Sequence, residues 1–151
     1  MRLLLDSNII IDFLQRREPY YEDAGMLFML GLLREHELWF SSAQANDVFY
    51  TLSGGGKKAR AGQVVKALRL VREAAHVCGI DEAEFDAALN STWPDLEDAC
   101  VYQAALKVKA DAIITRNQAD FEKSSIRVFD CGELFEWLAE EQGLTYDWVS
   151  W

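Results

Sequence analysis

The sequence predicts an α/β fold: three layers, α/β/α, around a central parallel sheet of four to five strands. Three observations predict it. Short apolar runs suited to buried strands recur along the chain, as at 2–5 and 112–115. Longer segments with helical apolar spacing and capping residues lie between them. Only two prolines occur in 151 residues, with no low-complexity linker and no internal repeat, so a single domain over residues 1–151 is expected. Strands that alternate with helices favour a parallel sheet covered on both faces.

Each element follows from local chemistry. The apolar run 2–5 stops at Asp6-Ser7-Asn8, which caps a helix through Ile9, Ile10, Phe13 and Leu14. Arg16 and Arg17 close that helix. Pro19 stands near the start of a second helix reaching Arg34, with Ala24, Leu27, Phe28 and Leu30 apolar. A second strand is expected at 37–41, and Ser42 caps a helix through Leu52. Ser53-Gly54-Gly55-Gly56 is a break. The segment 57–75 is an amphipathic helix with Val64, Val65, Leu68 and Val71 on one side. A short third strand is expected at 77–80, and Asp81 caps a helix to Asn90. Pro94 precedes a helix over 96–109; strands follow at 112–115 and 126–129, and a final helix at 133–140.

Composition narrows the function classes. Half the residues are hydrophobic and 26% are charged, a globular balance. There is no apolar run long enough for a membrane span. The first residues turn polar at Asp6, too soon for a signal peptide. Cys78, Cys100 and Cys131 are widely spaced and odd in number, which favours buried, reduced thiols and a cytoplasmic protein. Two histidines leave no His-rich zinc site. Fifteen Lys and Arg stand against 25 Asp and Glu, a net charge of −10, which argues against broad nucleic-acid binding. Where the carboxylates sit matters more than their sum.

In parallel sheets ligands bind outside the carboxyl ends of the strands. Asp6 follows the first strand, and Asp47 lies one turn into the helix after the second. Asp95 and Asp98 open the helix after Pro94, and Asn117 and Asp120 follow the fourth strand. Any one of these acids is explained by helix capping or the helix dipole. Their recurrence at one sheet edge points to a cation, because clustered carboxylates repel and oxygen ligands suit Mg²⁺ or Mn²⁺. Such a site polarises a phosphodiester and activates water. Asp12, Asp23, Asp81, Asp86 and Asp111 lack this placement and are expected to be solvated or capping.

Four blocks resemble the PIN domain, in the family's order. They are 3–12 (LLLDSNIIID), 42–50 (SAQANDVFY), Asp95-Leu96-Glu97-Asp98-Ala99, and 114–121 (ITRNQADF). The similarity is to the bacterial VapC-like branch. It implies a metal-dependent endoribonuclease, often the toxin of a type II toxin–antitoxin pair, with Mg²⁺ or Mn²⁺ held by Asp6 and Asp98. It implies that Asp47 and Asp120 complete the acidic pocket, and that Asn117 binds metal through its amide or through water. Asn8 would orient Asp6, and Asp95 matches a further acid of the third block. Many relatives carry Glu where this chain has Asp47.

An RNA track is expected near Lys57, Lys58, Arg60, Lys66, Arg69 and Arg72, because phosphate contacts need local cations. The competing reading is a solvated helix face. Arg116 beside the pocket is a second phosphate candidate, as are Arg16 and Arg17. Phe13, Tyr20, Tyr21, Phe28, Trp39, Phe40, Phe49 and Tyr50 read as core or homodimer interface. The tail 146–151, with Trp148 and Trp151, is expected to dock on the domain, a second subunit or an antitoxin. An antitoxin segment would bring basic residues to the pocket.

The rival from the same fold is a catalytically weak binding or regulatory protein. A haloacid-dehalogenase-type phosphatase needs an acid where Asn8 stands. A receiver domain needs paired acids at the first strand and a late Lys. Gly54-Gly55-Gly56-Lys57-Lys58 lacks P-loop spacing and its Ser or Thr.

Overall fold

The computed structural model describes residues 1–147. Five parallel strands form one sheet in the order β3-β2-β1-β4-β5. They are β1 (Arg2–Leu5), β2 (Glu37–Ser41), β3 (Ala75–Cys78), β4 (Ala112–Ile114) and β5 (Arg127–Phe129). Seven helices are described: α1 (Ser7–Gln15), α2 (Tyr21–Leu32), α3 (Ser42–Leu52), α4 (Lys58–Ala74), α5 (Glu82–Leu89), α6 (Leu96–Lys107) and α7 (Cys131–Gln142). A 3-10 turn covers Gln118–Phe121. No helix among the described residues is long and apolar enough to cross a membrane.

The three layers follow from β1, which is central. Leu3 and Leu5 face one side, where Ile10, Phe28, Val71 and Leu134 from α1, α2, α4 and α7 pack. Leu4 faces the other, where Val101, Ala104 and Ala105 of α6 pack with Ile113 and Phe121. Period-two alternation along a strand buried on both faces produces this division. Gly31 of α2 meets Ala74 and Leu38 so closely that a β-carbon would lie 2.6 Å from the Ala74 carbonyl oxygen. Any larger residue would push α2 off the sheet.

Several boundaries move from their expected places. Ser41, not Ser42, caps α3, and its side chain accepts from the Gln44 N–H in a capping box. The third strand starts at Ala75, two residues early, because α4 ends straight into the ladder, with Leu38 opposite Ala75 and Ser41 opposite Cys78. The second helix starts at Tyr21, after a cis Glu18–Pro19 bond, and stops at Leu32. α6 stops at Lys107, and Lys109 takes a positive φ of 54°. α7 is longer than expected because Asp130 and Glu133 form a capping box ahead of 133. Cys78 and Cys131 are buried, Cys100 is half-buried, and all three are free thiols. Tyr146 donates its hydroxyl to Glu35 and packs against Phe135. Trp148 and Trp151, expected to dock, lie outside the described residues.

Candidate active site

β1 and β4 are neighbours, with Leu5 opposite Ile114, while β2 lies on the other side of β1. A sheet whose order reverses at its centre opens a crevice at the carboxyl ends of those strands. Asp6 and Thr115 are the next residues on the two strands, so both stand at that crevice.

Asp6 is held by three donors. Its Oδ1 accepts the Ser7 N–H at 2.7 Å, and its Oδ2 accepts the Thr115 hydroxyl at 2.7 Å and Asn8 Nδ2 at 2.9 Å. Asn8 Oδ1 in turn accepts the Arg116 N–H at 3.3 Å, and Thr115 Oγ1 accepts the Asn117 N–H at 3.0 Å. The loop after β4 is thereby tied to the start of α1. Gln44 Nε2 donates to the Leu5 carbonyl at 2.7 Å, tying the start of α3 to the end of β1. Asp47 stands one turn further along α3. Asp95 caps α6, its Oδ1 accepting the N–H groups of Glu97 at 2.7 Å and Asp98 at 3.2 Å. Asp120 lies in the 3-10 turn, anchored by buried Phe121.

These side chains line one cavity of about 480 Å³: Asp6, Asn8, Asp47, Asp95, Glu97, Asp98, Asn117 and Asp120. Arg17, Tyr50 and Thr51 line it as well. Among the described residues no Lys or Arg forms an ion pair with these carboxylates; the four ion pairs engage Glu37, Asp81, Glu84 and Asp12. Arg17 gives its Nε to Gln15 instead. The repulsion is expressed in the titration of the acids. Burial, then Asp95, Asp6, Asp120 and Glu97, push Asp98 up to about 7. Burial, then Asp47, Asp6 and Asp95, raise Glu97. Burial raises Asp6 despite the bonds from Thr115 and Ser7 that favour its charged form.

An all-oxygen donor set under mutual repulsion fits a hard divalent cation. Among the described residues no group of three or more His, Cys, Asp or Glu is drawn together tightly enough to clasp an ion. Few side chains would then bind directly, with water completing the shell, as Mg²⁺ prefers.

The acids and amides expected at the strand ends thus share one cavity; of the cations expected to meet phosphate, Arg17 lines it, while Arg116 and the 57–72 cations do not. Arg116 is the clear departure. Its Nε pairs with Asp12 Oδ2 at 2.6 Å, and its guanidinium lies 4.5 Å from the Tyr20 ring centroid. It lines a separate cavity of about 350 Å³ with Tyr20, Asp23 and Asp130. Asp12, expected to be solvated or capping, is 1% exposed, because α1 turns that position inward and Arg116 balances its charge. Lys57, Lys66 and Arg69 are exposed near or along α4.

Three contributors were not among the expected site residues. Glu97 sits in the third block, two residues after Asp95, and its spacing was a signal. Thr115 is fully buried and reads in sequence as the end of an apolar strand. Gln44 acts through the β1 carbonyl, a contact that sequence does not reveal.

A PIN domain family model matches residues 2–119. Among solved structures, VapBC2 of Rickettsia felis, bound to a DNA fragment from its promoter, aligns with a TM-score of 0.62 at 14% identity. That alignment covers 86% of this chain and 98% of that one. FitAcB of Neisseria gonorrhoeae aligns at 0.62 and 16% identity, over 86% and 98%. VapC20 of Mycobacterium tuberculosis, a Sarcin-Ricin loop cleaving toxin, aligns at 0.59 and 11%, over 83% and 98%. At these identities the likeness is one of fold. No curated protein matches the chain by sequence.

Proposed function

The chain belongs to the PIN domain family, and from that premise we propose that it is an Mg²⁺- or Mn²⁺-dependent endoribonuclease. We further propose that it is the toxin of a type II toxin–antitoxin pair, acting in the cytoplasm and as a homodimer. The observation that carries the nuclease reading is the cavity itself. Four separated segments deliver carboxylates to one crevice, and no basic side chain of the described residues pairs with them. A folded protein that keeps such repulsion in place has a use for a cation there.

Asp6, Asp98 and Asn117 would hold the ion, with Asp47 and Asp120 completing the acidic lining. When bound, the ion supplies positive charge to a phosphodiester and makes water a better proton donor. The chain's own groups do the positioning. Ser7, Asn8 and Thr115 leave Asp6 one orientation. Asp95 fixes the first turn of α6 and so the height of Asp98. Arg17 offers a guanidinium to a phosphate at the cavity wall. Asp47 and Asp120, which line the same cavity, would take a proton from an attacking water.

The antitoxin reading draws support from the acidic cavity, which complements a basic segment, and from the toxin–antitoxin assemblies among the similar folds. The test is cleavage of single-stranded RNA with Mg²⁺, with Mn²⁺ and with chelator, beside Asp6→Asn. Cleavage by the unmodified chain alone, and only with metal, is the expected result. Equal behaviour of the two proteins would sink the reading.

A further inference from the structure

We infer that Tyr50, seated on the tri-glycine turn after α3, is a stacking platform for an unpaired nucleobase next to the cleaved phosphodiester; this rests on the nuclease reading above. Tyr50 read from sequence as core or dimer interface. It is 63% exposed in the single chain, so it is not core, and it lines the acidic cavity one turn along α3 from Asp47.

The turn is built around this residue. The Gly55 N–H donates to the Tyr50 carbonyl at 2.9 Å, and the buried Ser53 hydroxyl donates to the same oxygen at 3.2 Å. Ser53 Oγ then accepts the Gly56 N–H at 2.9 Å. Gly54, Gly55 and Gly56 have φ of 68°, 87° and 80°, three consecutive left-handed positions that only glycine adopts without strain. A β-carbon on Gly55 would lie 3.7 Å from the Tyr50 hydroxyl oxygen, and one on Gly56 would lie 3.8 Å from ring carbons Cδ2 and Cε2. The ring therefore lies beside the glycine turn, at the edge of the cavity.

The surroundings favour a nucleic acid over a protein helix. Lys57, Lys58 and Arg60 follow the turn directly, and Lys57 and Arg60 reach back to within 3.7 Å and 3.3 Å of a β-carbon on Gly54. These three cations form no ion pair among the described residues. Arg17 lies on the cavity wall. A flat ring between an acidic, metal-suited cavity and free cations matches a strand whose base stacks while its phosphates meet Lys and Arg. The stack would hold one base and so set the register of the strand over the carboxylates.

The experiment uses the full chain. A fluorescein-labelled, unstructured oligoribonucleotide is titrated against Asp98→Asn protein carrying Tyr50, Tyr50→Phe or Tyr50→Ala, and anisotropy is read. Cleavage by the same Tyr50 variants with intact Asp98 gives kcat and KM. Tyr50→Ala should weaken RNA binding by about 5- to 150-fold and raise KM, and Tyr50→Phe should stay within about twofold. Thermal melting should show both variants folded, since the ring is mostly exposed. Cleavage by the unmodified chain with Tyr50→Ala binding equally well would overturn the stacking proposal and leave the nuclease reading standing. Equal losses in Phe and Ala would also overturn it, since a ring face would not then be the cause. Neither binding nor cleavage by the unmodified chain would overturn both. A changed oligomeric mass with unchanged RNA binding would assign Tyr50 to a subunit interface and overturn the proposal.

Discussion

Thr115 carries more of the site than its place at the end of a strand would indicate. Its buried hydroxyl donates to Asp6 and accepts from Asn8 and Asn117. Thr115→Val should therefore cost about 1–3 kcal/mol, by leaving donors without their acceptor. Chemical denaturation checks this, and metal-dependent cleavage should fall with it. Asp98 gives a second residue-scale expectation. Its folded value of about 7 lies above the ordinary 3.8, so the neutral carboxyl is the form the fold tolerates. Its favourable contribution is fully present below about pH 4 and is lost as pH rises through 7. Without divalent ions, Asp98→Asn should melt above the unmodified chain at pH 8, with the gap shrinking steadily toward pH 4. A lower melting temperature for the variant at pH 8 would contradict the repulsion argument. The acids themselves were legible as Asp residues after apolar runs. The partners that orient Asp6 were legible only in part, since Asn8 lies beside it in sequence and Thr115 lies 109 positions away.

At the scale of elements, the join between α1 and the loop after β4 decides the site's shape. Arg116 spans it, pairing with buried Asp12 and covering Tyr20. The ion pair anchors the loop that carries Asn117 and Asp120, whereas the sequence pointed to a phosphate ligand. Arg116→Ala strips buried Asp12 of its ion-pair partner, and should cost about 3–5 kcal/mol. Restoring neutrality with Asp12→Asn in the same chain should recover part of that loss, measured by denaturation midpoint. The strand and helix types were readable from periodicity throughout. Boundaries moved where neighbours intervened: α4 runs directly into β3 because Ala75 pairs with Leu38, and no local signal marks that residue. The 3-10 turn that carries Asp120 was not foreseen, because four residues are too few to show a period.

Across the whole molecule, the net charge of −10 is unevenly spread. Asp6, Asp47, Asp95, Glu97, Asp98 and Asp120 crowd one cavity, and among the described residues no Lys or Arg forms an ion pair with them, although Arg17 lines the wall. A ligand that binds only the folded state stabilises it by mass action, by about 2.7 kcal/mol at a hundredfold excess over Kd. For a domain of this size that amounts to about 2–4 °C in Tm per kcal/mol. Mg²⁺ or Mn²⁺ should therefore raise the melting temperature, more at pH 8 than at pH 5, and much less in Asp98→Asn. No shift with either ion would argue against a metal centre. The sequence by itself determined the fold class, the order of elements and the acids at the strand ends, because apolar periodicity and capping are local properties of the chain. Only the tertiary structure decided which acids share a cavity, that Arg116 turns from it to Asp12, and that Tyr50 faces solvent beside it. Those outcomes depend on the strand order β3-β2-β1-β4-β5 and on how the helices cross it, which are contacts between residues far apart in sequence.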